Sequence, residues 1–522
     1  MARIAAPPAQ RDDGAPLRLQ ALPAAGLVGL VALILLGASA ASLRAAPMRA
    51  IDVRYTGASH ITTDSVLRAT ASARGARIAA VTFYLDGRPV GSDTTKPYAL
   101  DLVGNAARAG THRLRVVAVD SLGRRRASGT TVVRVRAGLP WLSASPTTGL
   151  SRALHALVRG GRVRLARGVY RLAQIRLGSG ARLVGSGADT VISAPDGSYW
   201  SLLIASGSNI RVADLTLDGR GQGSGFGYGV EVQSGSADVR VQRVTMRHVR
   251  GAGLHTWGAY SQVSIQDSTI TGDGTAQAGV IAGESGSYGK SRDTSVIRCR
   301  VAGFKSYGVI FANLAHGVPD AALHAVALDN RITDINDPNR ADGTNEGAIW
   351  SGGVEAAIVG NRIARTGWDG IETVGSSMDV AIVGNEIRDT PVGIYVEHET
   401  TSSLIRKNTI ARVTTGVNVE WTYGGVGSFA NRFIENHIST ASKTGIFLDV
   451  GSDRNQVLRN VLIVSQGPAI VLQGSSNNLV KGNRRCGSTA SIVDERVGRW
   501  DNGELAHPNG NAIAGNTSLT RC

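Results

Sequence analysis

The stretch Ala357-Ile358-Val359-Gly360-Asn361-Arg362-Ile363-Ala364, repeated as Ala381-Ile382-Val383-Gly384-Asn385-Glu386-Ile387-Arg388, decides the fold. Each copy is a short apolar run, a two-residue turn ending in Asn, and a second apolar run. Working outward, the segments VRVQRVTM, VSIQDSTI, SVIRCRVA and VALDNRIT precede this pair, and LIRKNTIA, RFIENHIS, QVLRNVLI and LVKGNRRC follow it. Their fifth residues are Arg243, Asp267, Cys299, Asn330, Asn361, Asn385, Asn408, Asn436, Asn460 and Asn483. The recurrent spacing is 23 or 24 residues, with longer repeats in the early middle. Self-similarity at such a period marks stacked repeats. One repeat cannot bury the inner faces of its short strands, whereas stacking pairs its backbone with the next repeat about 4.8 Å away. Asn tolerates the unusual backbone angles of the turn, and stacked Asn side chains can bond along the column. These residues are read as structural.

The expected fold class is all-β: a right-handed parallel β-helix (a solenoid) over residues 140–522, of about a dozen coils. Helical spacing of Leu150, Ala153, Leu154, Leu157 and Val158 predicts a capping helix at its entry. The segments GGRVRLARGVYRL and GARLVGSGADTVISA then resemble the first coils of pectate-lyase-like proteins, and the Asn column resembles their Asn ladder. That resemblance implies the fold and leaves the chemistry open, because many reactions share the scaffold.

Residues 50–137 read as a small antiparallel β-sandwich. Arg113 to Val119 largely alternates, Val81 to Leu85 is β-rich, Asp86-Gly87 is a hairpin signal, and Thr131 to Val135 supplies a last strand. VTFYLDGRPVGSDTTKPYALDL followed by GTHRLRVVAVDSLGR resembles the bacterial Ig-like modules of secreted proteins. The resemblance implies a spacer or docking unit.

The chain is glycine-rich (66 Gly) and carries a net charge of +16. Arginine accounts for much of this surplus: Arg152 to Arg182 holds eight Arg and no acid. No basic stripe interleaved with aromatics occurs, which argues against nucleic acid as a partner. Residues 19–43 are uncharged and apolar, and Ala38-Ser39-Ala40 is a small-residue cleavage pattern. Residues 1–49 are therefore read as a tail with a signal peptide or membrane anchor. The protein is expected to be secreted or at the cell surface, touching a membrane only through this segment. Of three cysteines, Cys486 and Cys522 could pair in an oxidising compartment, closing a loop worth on the order of 3–4 kcal/mol. Cys299, in the repeat column, is expected to be buried and free. No Cys/His cluster has zinc-site spacing.

A second pattern, Gly-apolar-any-apolar-any, recurs midway through each repeat, from Gly229 to Ala469. Its third and fifth residues are expected to face outward. Ile281, Ile310 and Ile349 make an apolar outward row, with Trp350 assigned to the core. Glu397, Glu420 and Asp449 stack on three successive coils, with Glu372, Tyr395 and Asn418 beside them and Asp369, His398, Trp368 and Trp421 at the flanks. Nothing in folding favours stacked carboxylates, which repel and raise one another's pKa. Adjacent-coil carboxylates lie near the ~5 Å separation of retaining glycosidases, and a diagonal pair such as Glu372 and Glu397 at roughly 8 Å is in the inverting range.

The expected function is therefore action on a polysaccharide or cell-envelope glycan. Glu397 and Glu420 are the acid/base or nucleophile pair, with Glu372 or Asp449 as partner. Trp368, Tyr395 and Trp421 are the sugar platform, alongside Asp369 and Asn418. A lyase or epimerase would use Tyr395 or His398 for proton transfer, and the carboxylates could then hold Ca²⁺. No other cofactor is expected. The rival reading is a non-catalytic glycan-binding or adhesion protein. His255 and Trp257 form a second polar patch, read as non-catalytic. Gly286 to Ser291 misses the first P-loop glycine. Asp337-Pro338-Asn339-Arg340 resembles the Asp-Pro-His-Asp element of β-helical alginate epimerases, with its last two residues replaced.

Overall fold

The computed structural model describes residues 50–519 apart from 198, 222–226, 284–290, 313–321, 336–346, 374, 421–426, 488–490, 496–497, 500–504 and 507–509. The segment 1–49, both near-miss motifs, Trp421 and Cys522 lie outside the described residues. Among the described residues no helix is long and apolar enough to cross a membrane.

From Leu142 onward the chain winds into a parallel β-helix of about eleven turns. The helix Leu150–Val158 lies at its entry with Ala153 and Leu157 buried. One coil shows the plan. A first strand, Ala357–Val359, turns at Gly360-Asn361 into a second, Arg362–Thr366, which leads round a corner into a third, Asp369–Thr373. Its inward residues Ile358, Ile363 and Ile371 stack on Ile382, Ile387 and Ile394 of the next coil, and these on Ile405, Ile410 and Val417. All nine are fully buried or nearly so. Branched aliphatic side chains fill three inner columns because each strand alternates in and out.

The Asn column runs from Asn330 through Asn361, Asn385, Asn408, Asn436, Asn460 and Asn483 to Asn516. Within it, Asn385 Oδ1 accepts the Asn361 backbone N–H and side-chain Nδ2, both at 2.9 Å, while Asn361 Nδ2 also donates to the Ala327 carbonyl at 2.9 Å. The position before each ladder residue is left-handed, with φ +66° at Gly360 and +55° at Lys407. At the N-terminal end the sequence alignment is one residue out. Arg243 and Asp267 occupy this left-handed, outward position and pair with Asp214 and Arg298. The inward ladder places belong to Val244 and Ser268, whose Oγ accepts the Val244 N–H at 3.1 Å. Cys299 continues the column, its N–H donating to Asn330 Oδ1 at 2.9 Å. Cys299 is free, and burial pushes its thiol up to about 12. Cys486 is disulfide-bonded.

A second correction concerns the third strands. Ile349 points inward, stacked on Val309 and Ile371, whereas Trp350 points outward between Ile310 and Glu372. Ala348, not Gly347, takes the place equivalent to Gly308, because the inserted segment ends one residue later than the repeat pattern implies. A one-residue slip exchanges the two faces of a strand.

Residues 51–136 form the β-sandwich. Ile51–Tyr55, Val66–Ala73 and Ala99–Asp101 make one sheet; His60–Thr62, Thr131–Arg136, Gly110–Asp120, Ile78–Leu85 and Arg88–Asp93 make the other. Its own core contains Leu67, Phe83, Leu100, Leu114 and Val133. The module is docked along the β-helix and is no free spacer. Ala79, Ala80 and Val119 cover an outward apolar row on the first strands, including Val326, Leu328, Val359 and Val383. Ion pairs border this contact: Asp101 with Arg182 and Arg211, Asp93 with Arg240, Asp64 with Arg162, and Asp329 with Arg125. Part of the arginine-rich run at the β-helix entry thus meets the module's carboxylates.

Replacing Asn408 by Ala would strip the Asn385 N–H and the Ile382 carbonyl of their partners. Each buried group left unpaired costs about 1–3 kcal/mol, so Asn408→Ala is expected to lower the urea midpoint clearly. An exposed neighbour change such as Thr409→Ala should leave it almost unmoved.

Candidate functional site

The outer face of the third strands carries the candidate site. Stacking in register makes every outward position a column. One column reads Glu231, His255, Ile281, Ile310, Trp350, Glu372, Tyr395, Asn418, Phe447 and Val471. Its first half begins with Glu231, buried and accepting from Ser201 Oγ, and continues through His255, Ile281, Ile310 and Trp350. Tyr228 stacks on His255 at 4.3 Å between ring centres, His255 lies 4.6 Å from Trp257, and Trp200 stacks with Trp257 at 6.3 Å. His255 is 1% exposed, a packed residue in this aromatic group. Trp350 then adjoins Glu372, so the aromatic strip runs directly into the acidic patch.

In that patch Glu372 and Tyr395 are neighbours on adjacent coils, and both are buried. Glu397 and Glu420 follow their strands and remain partly accessible. Asn418 Nδ2 donates to Glu420 Oε2 at 2.8 Å, which orients that side chain. His398 Nδ1 lies 3.8 Å from Glu397 Oε1, and the ring packs against Gly375, where a Cβ would approach Nε2 to 3.1 Å. Asp449 turns into its own backbone, its Oδ1 accepting the Val450 N–H at 2.8 Å. Trp368 is 38% exposed at the preceding corner.

Asp369 is the most unusual member. It opens the strand Asp369–Thr373 one residue before the glycine of the repeat pattern, beside Gly347 of the previous coil; a Cβ at Gly347 would come within 2.9 Å of the Asp369 Cβ. Its side chain is fully buried, and neither oxygen has a hydrogen-bond partner among the described residues. Burial, reinforced by the negative charges of Glu397 and Glu420, holds its carboxyl well above the usual range. Asp369 therefore holds its proton more readily than an exposed carboxyl would. The sequence placed it only at the flank of the site, because its column, the residue before each Gly, is mostly Ala, Tyr, Thr and Val and carries no repeated polar signal.

A groove of about 770 Å³ continues from Glu420 toward the C-terminal coils, lined by Thr415, Asn418, Lys443, Phe447, Gln473 and Glu495 among others. Lys443 is the cation of this groove among the described residues, and no repeat pattern singled it out. Among the described residues no three His, Cys, Asp or Glu side chains converge as a metal site.

The chain is a right-handed parallel β-helix protein with an N-terminal bacterial Ig-like module. The family model described as right handed beta helix region matches residues 324–484, and that of the bacterial Ig domain matches residues 56–116. Among curated proteins none matches the sequence. Among solved structures it is similar to the A-module of mannuronan C-5 epimerase AlgE6 of Azotobacter vinelandii (16% identity, 71% of this chain and 94% of that one, TM-score 0.41). It is also similar to the family 28 exopolygalacturonase of Yersinia enterocolitica (11% identity, 89% and 99%, TM-score 0.38). A third is an α-1,3-glucanase catalytic domain in complex with tetrasaccharides (11% identity, 84% and 83%, TM-score 0.38).

The buried acid has a consequence for stability. A carboxyl whose pKa is raised in the folded state binds its proton more tightly there than in the unfolded chain, where it titrates near 3.9. Folding stability is therefore lost as pH rises from about 4 through the raised value. Asp369→Asn removes that cost. The variant is expected to melt above the parent at pH 7, with the difference vanishing below about pH 4, as read by thermal melts across pH.

Proposed function

We propose that the protein is exported and acts on a polysaccharide laid along the outer face of the third strands. The observation that carries this reading is Asp369, fully buried, without a hydrogen-bond partner among the described residues, and within the electrostatic reach of Glu397 and Glu420. A buried polar group without a partner is costly and needs an explanation. A carboxyl of raised pKa among other carboxyls is an arrangement from which acid–base chemistry is built. In the hydrolytic form, one of the partly accessible pair Glu397 and Glu420 gives a proton to the glycosidic oxygen as the bond to the anomeric carbon breaks, while the buried Asp369 acts on them through its charge. The other of the pair serves as base toward water or as nucleophile. Glu372, Tyr395 and Asn418 hold the sugar from the neighbouring column, and Trp350 and the aromatic strip beyond offer apolar ring faces.

Lys443 favours a second reading. Elimination or epimerisation at a uronic acid needs a base at C5 and a positive charge to neutralise the carboxylate as C5–H breaks. Glu420 and Lys443 line one groove and present that pair. The rival, a surface protein that binds glycan without turnover, has the same groove and no need of Asp369.

The test is to incubate the protein, Asp369→Asn and the Glu397→Gln, Glu420→Gln double variant with acidic and neutral polysaccharides. Reducing ends, absorbance of unsaturated products and proton NMR are read together. The parent is expected to turn over one of them, and each variant to lose at least a hundredfold in rate, the usual scale of a lost acid or base. Full activity in both variants would remove the site from this face. Binding of a glycan without any product would establish the non-catalytic reading.

A further inference from the structure

The Ig-like module carries a groove that the acidic face of the β-helix does not explain. It measures about 1110 Å³ and lies on the exposed side of the sheet formed by Ile78–Leu85, Gly110–Asp120 and Thr131–Arg136. Arg113 and Arg115 project from one strand two residues apart, hence on the same face and about 7 Å from each other. Tyr84 stands opposite Arg115 and Val132 opposite Arg113. Arg126 lines the same groove.

The charge here is net positive, with Arg113, Arg115 and Arg126 set against one carboxylate, Asp86. The module's six carboxylates are all engaged: Asp64, Asp93 and Asp101 face arginines of the β-helix, Asp120 holds Arg124, and Asp52 lies 3.3 Å from Arg54. The sixth, Asp86, is at the groove, where it accepts from His112 Nδ1 at 2.7 Å and from the Arg113 backbone N–H at 2.8 Å. Arg113, Arg115 and Arg126 are exposed and form no ion pair among the described residues. Like charges on one sheet face oppose folding; three of the module's acids are taken up by the β-helix, and the row of arginines is left facing solvent.

We propose that this groove is a second carbohydrate site, taking a linear polysaccharide that bears a carboxylate on each sugar. Guanidinium forks bond carboxylates bidentately. The Tyr84 ring, with Val117 and Val132, supplies an apolar surface for the faces of the sugars between them. A single aromatic among the arginines gives no stacking ladder for nucleobases. The site stands on the Ig-like module, apart from the third-strand face, and does not depend on what the β-helix catalyses.

The experiment is affinity electrophoresis of the full chain through gels containing polygalacturonate, alginate or dextran, followed by titration at two salt concentrations. The acidic glycans are expected to retard the parent, less so at high salt, and dextran to have no such effect. Arg113→Ser with Arg115→Ser should lose at least tenfold in affinity. Arg113→Lys with Arg115→Lys, which keeps charge without the fork, should fall between the two. The Glu397→Gln, Glu420→Gln variant should keep this binding. Undiminished binding in the Ser variant overturns the proposal, as does binding lost only in the β-helix variant, which would leave a single site there. Tighter binding of short duplex DNA, lost with the same arginines, would overturn the carbohydrate assignment.

Discussion

Backbone pairing between successive coils, about 4.8 Å apart, is the constraint on which the rest of this structure depends. Once each coil lies in register on the last, every side chain belongs to a column. Inward columns become a continuous aliphatic core, and turn positions become the Asn ladder, where each amide satisfies its neighbour's backbone and side chain. Outward columns bring together residues some twenty-four positions apart in sequence. Such a scaffold positions a functional group rigidly at low cost, because the backbone beneath it is already fully bonded.

The same constraint makes an acidic site expensive. Stacked carboxylates cannot move apart along the column, so their mutual repulsion must be relieved by solvent, by hydrogen bonds or by protonation. The three devices are distributed. Glu397 keeps partial access to solvent, Glu420 accepts from Asn418, and Asp369, fully buried, has its pKa raised. These different environments, more than the number of acids, give the face its chemical character.

Docking of the Ig-like module solves a different problem. The first strands present an apolar outward row that would otherwise face water, and the module covers it with Ala79, Ala80 and Val119. Arg211, only 3% exposed, is neutralised between Asp101 and Asp238. Burial alone would raise the Asp101 pKa, but Arg211 and Arg182 hold that carboxyl below its usual range. Gly91 fits the contact with a φ of +153° and no side chain; a Cβ there would come within 2.8 Å of Gln242 Nε2. The module and the β-helix thus share a bonded, partly dry boundary.

The repeat period, the Asn turns and the alternation of each strand were legible in the sequence, because they are local patterns imposed on every coil by the same backbone geometry. So were Glu372, Glu397 and Glu420 as one outward cluster, since a fixed period projects them onto one face. What the tertiary structure alone decided is where that period breaks. An insertion before Ala348 exchanged the faces of Ile349 and Trp350, and at Arg243 and Asp267 the ladder moved by one residue. The burial of Asp369 beside Gly347 depends on how closely two coils approach, which no single repeat encodes. The raised pKa of Asp369 and the exposed arginines on the module both follow from which groups the folded chain places near which, a property of three dimensions and not of spacing along the chain.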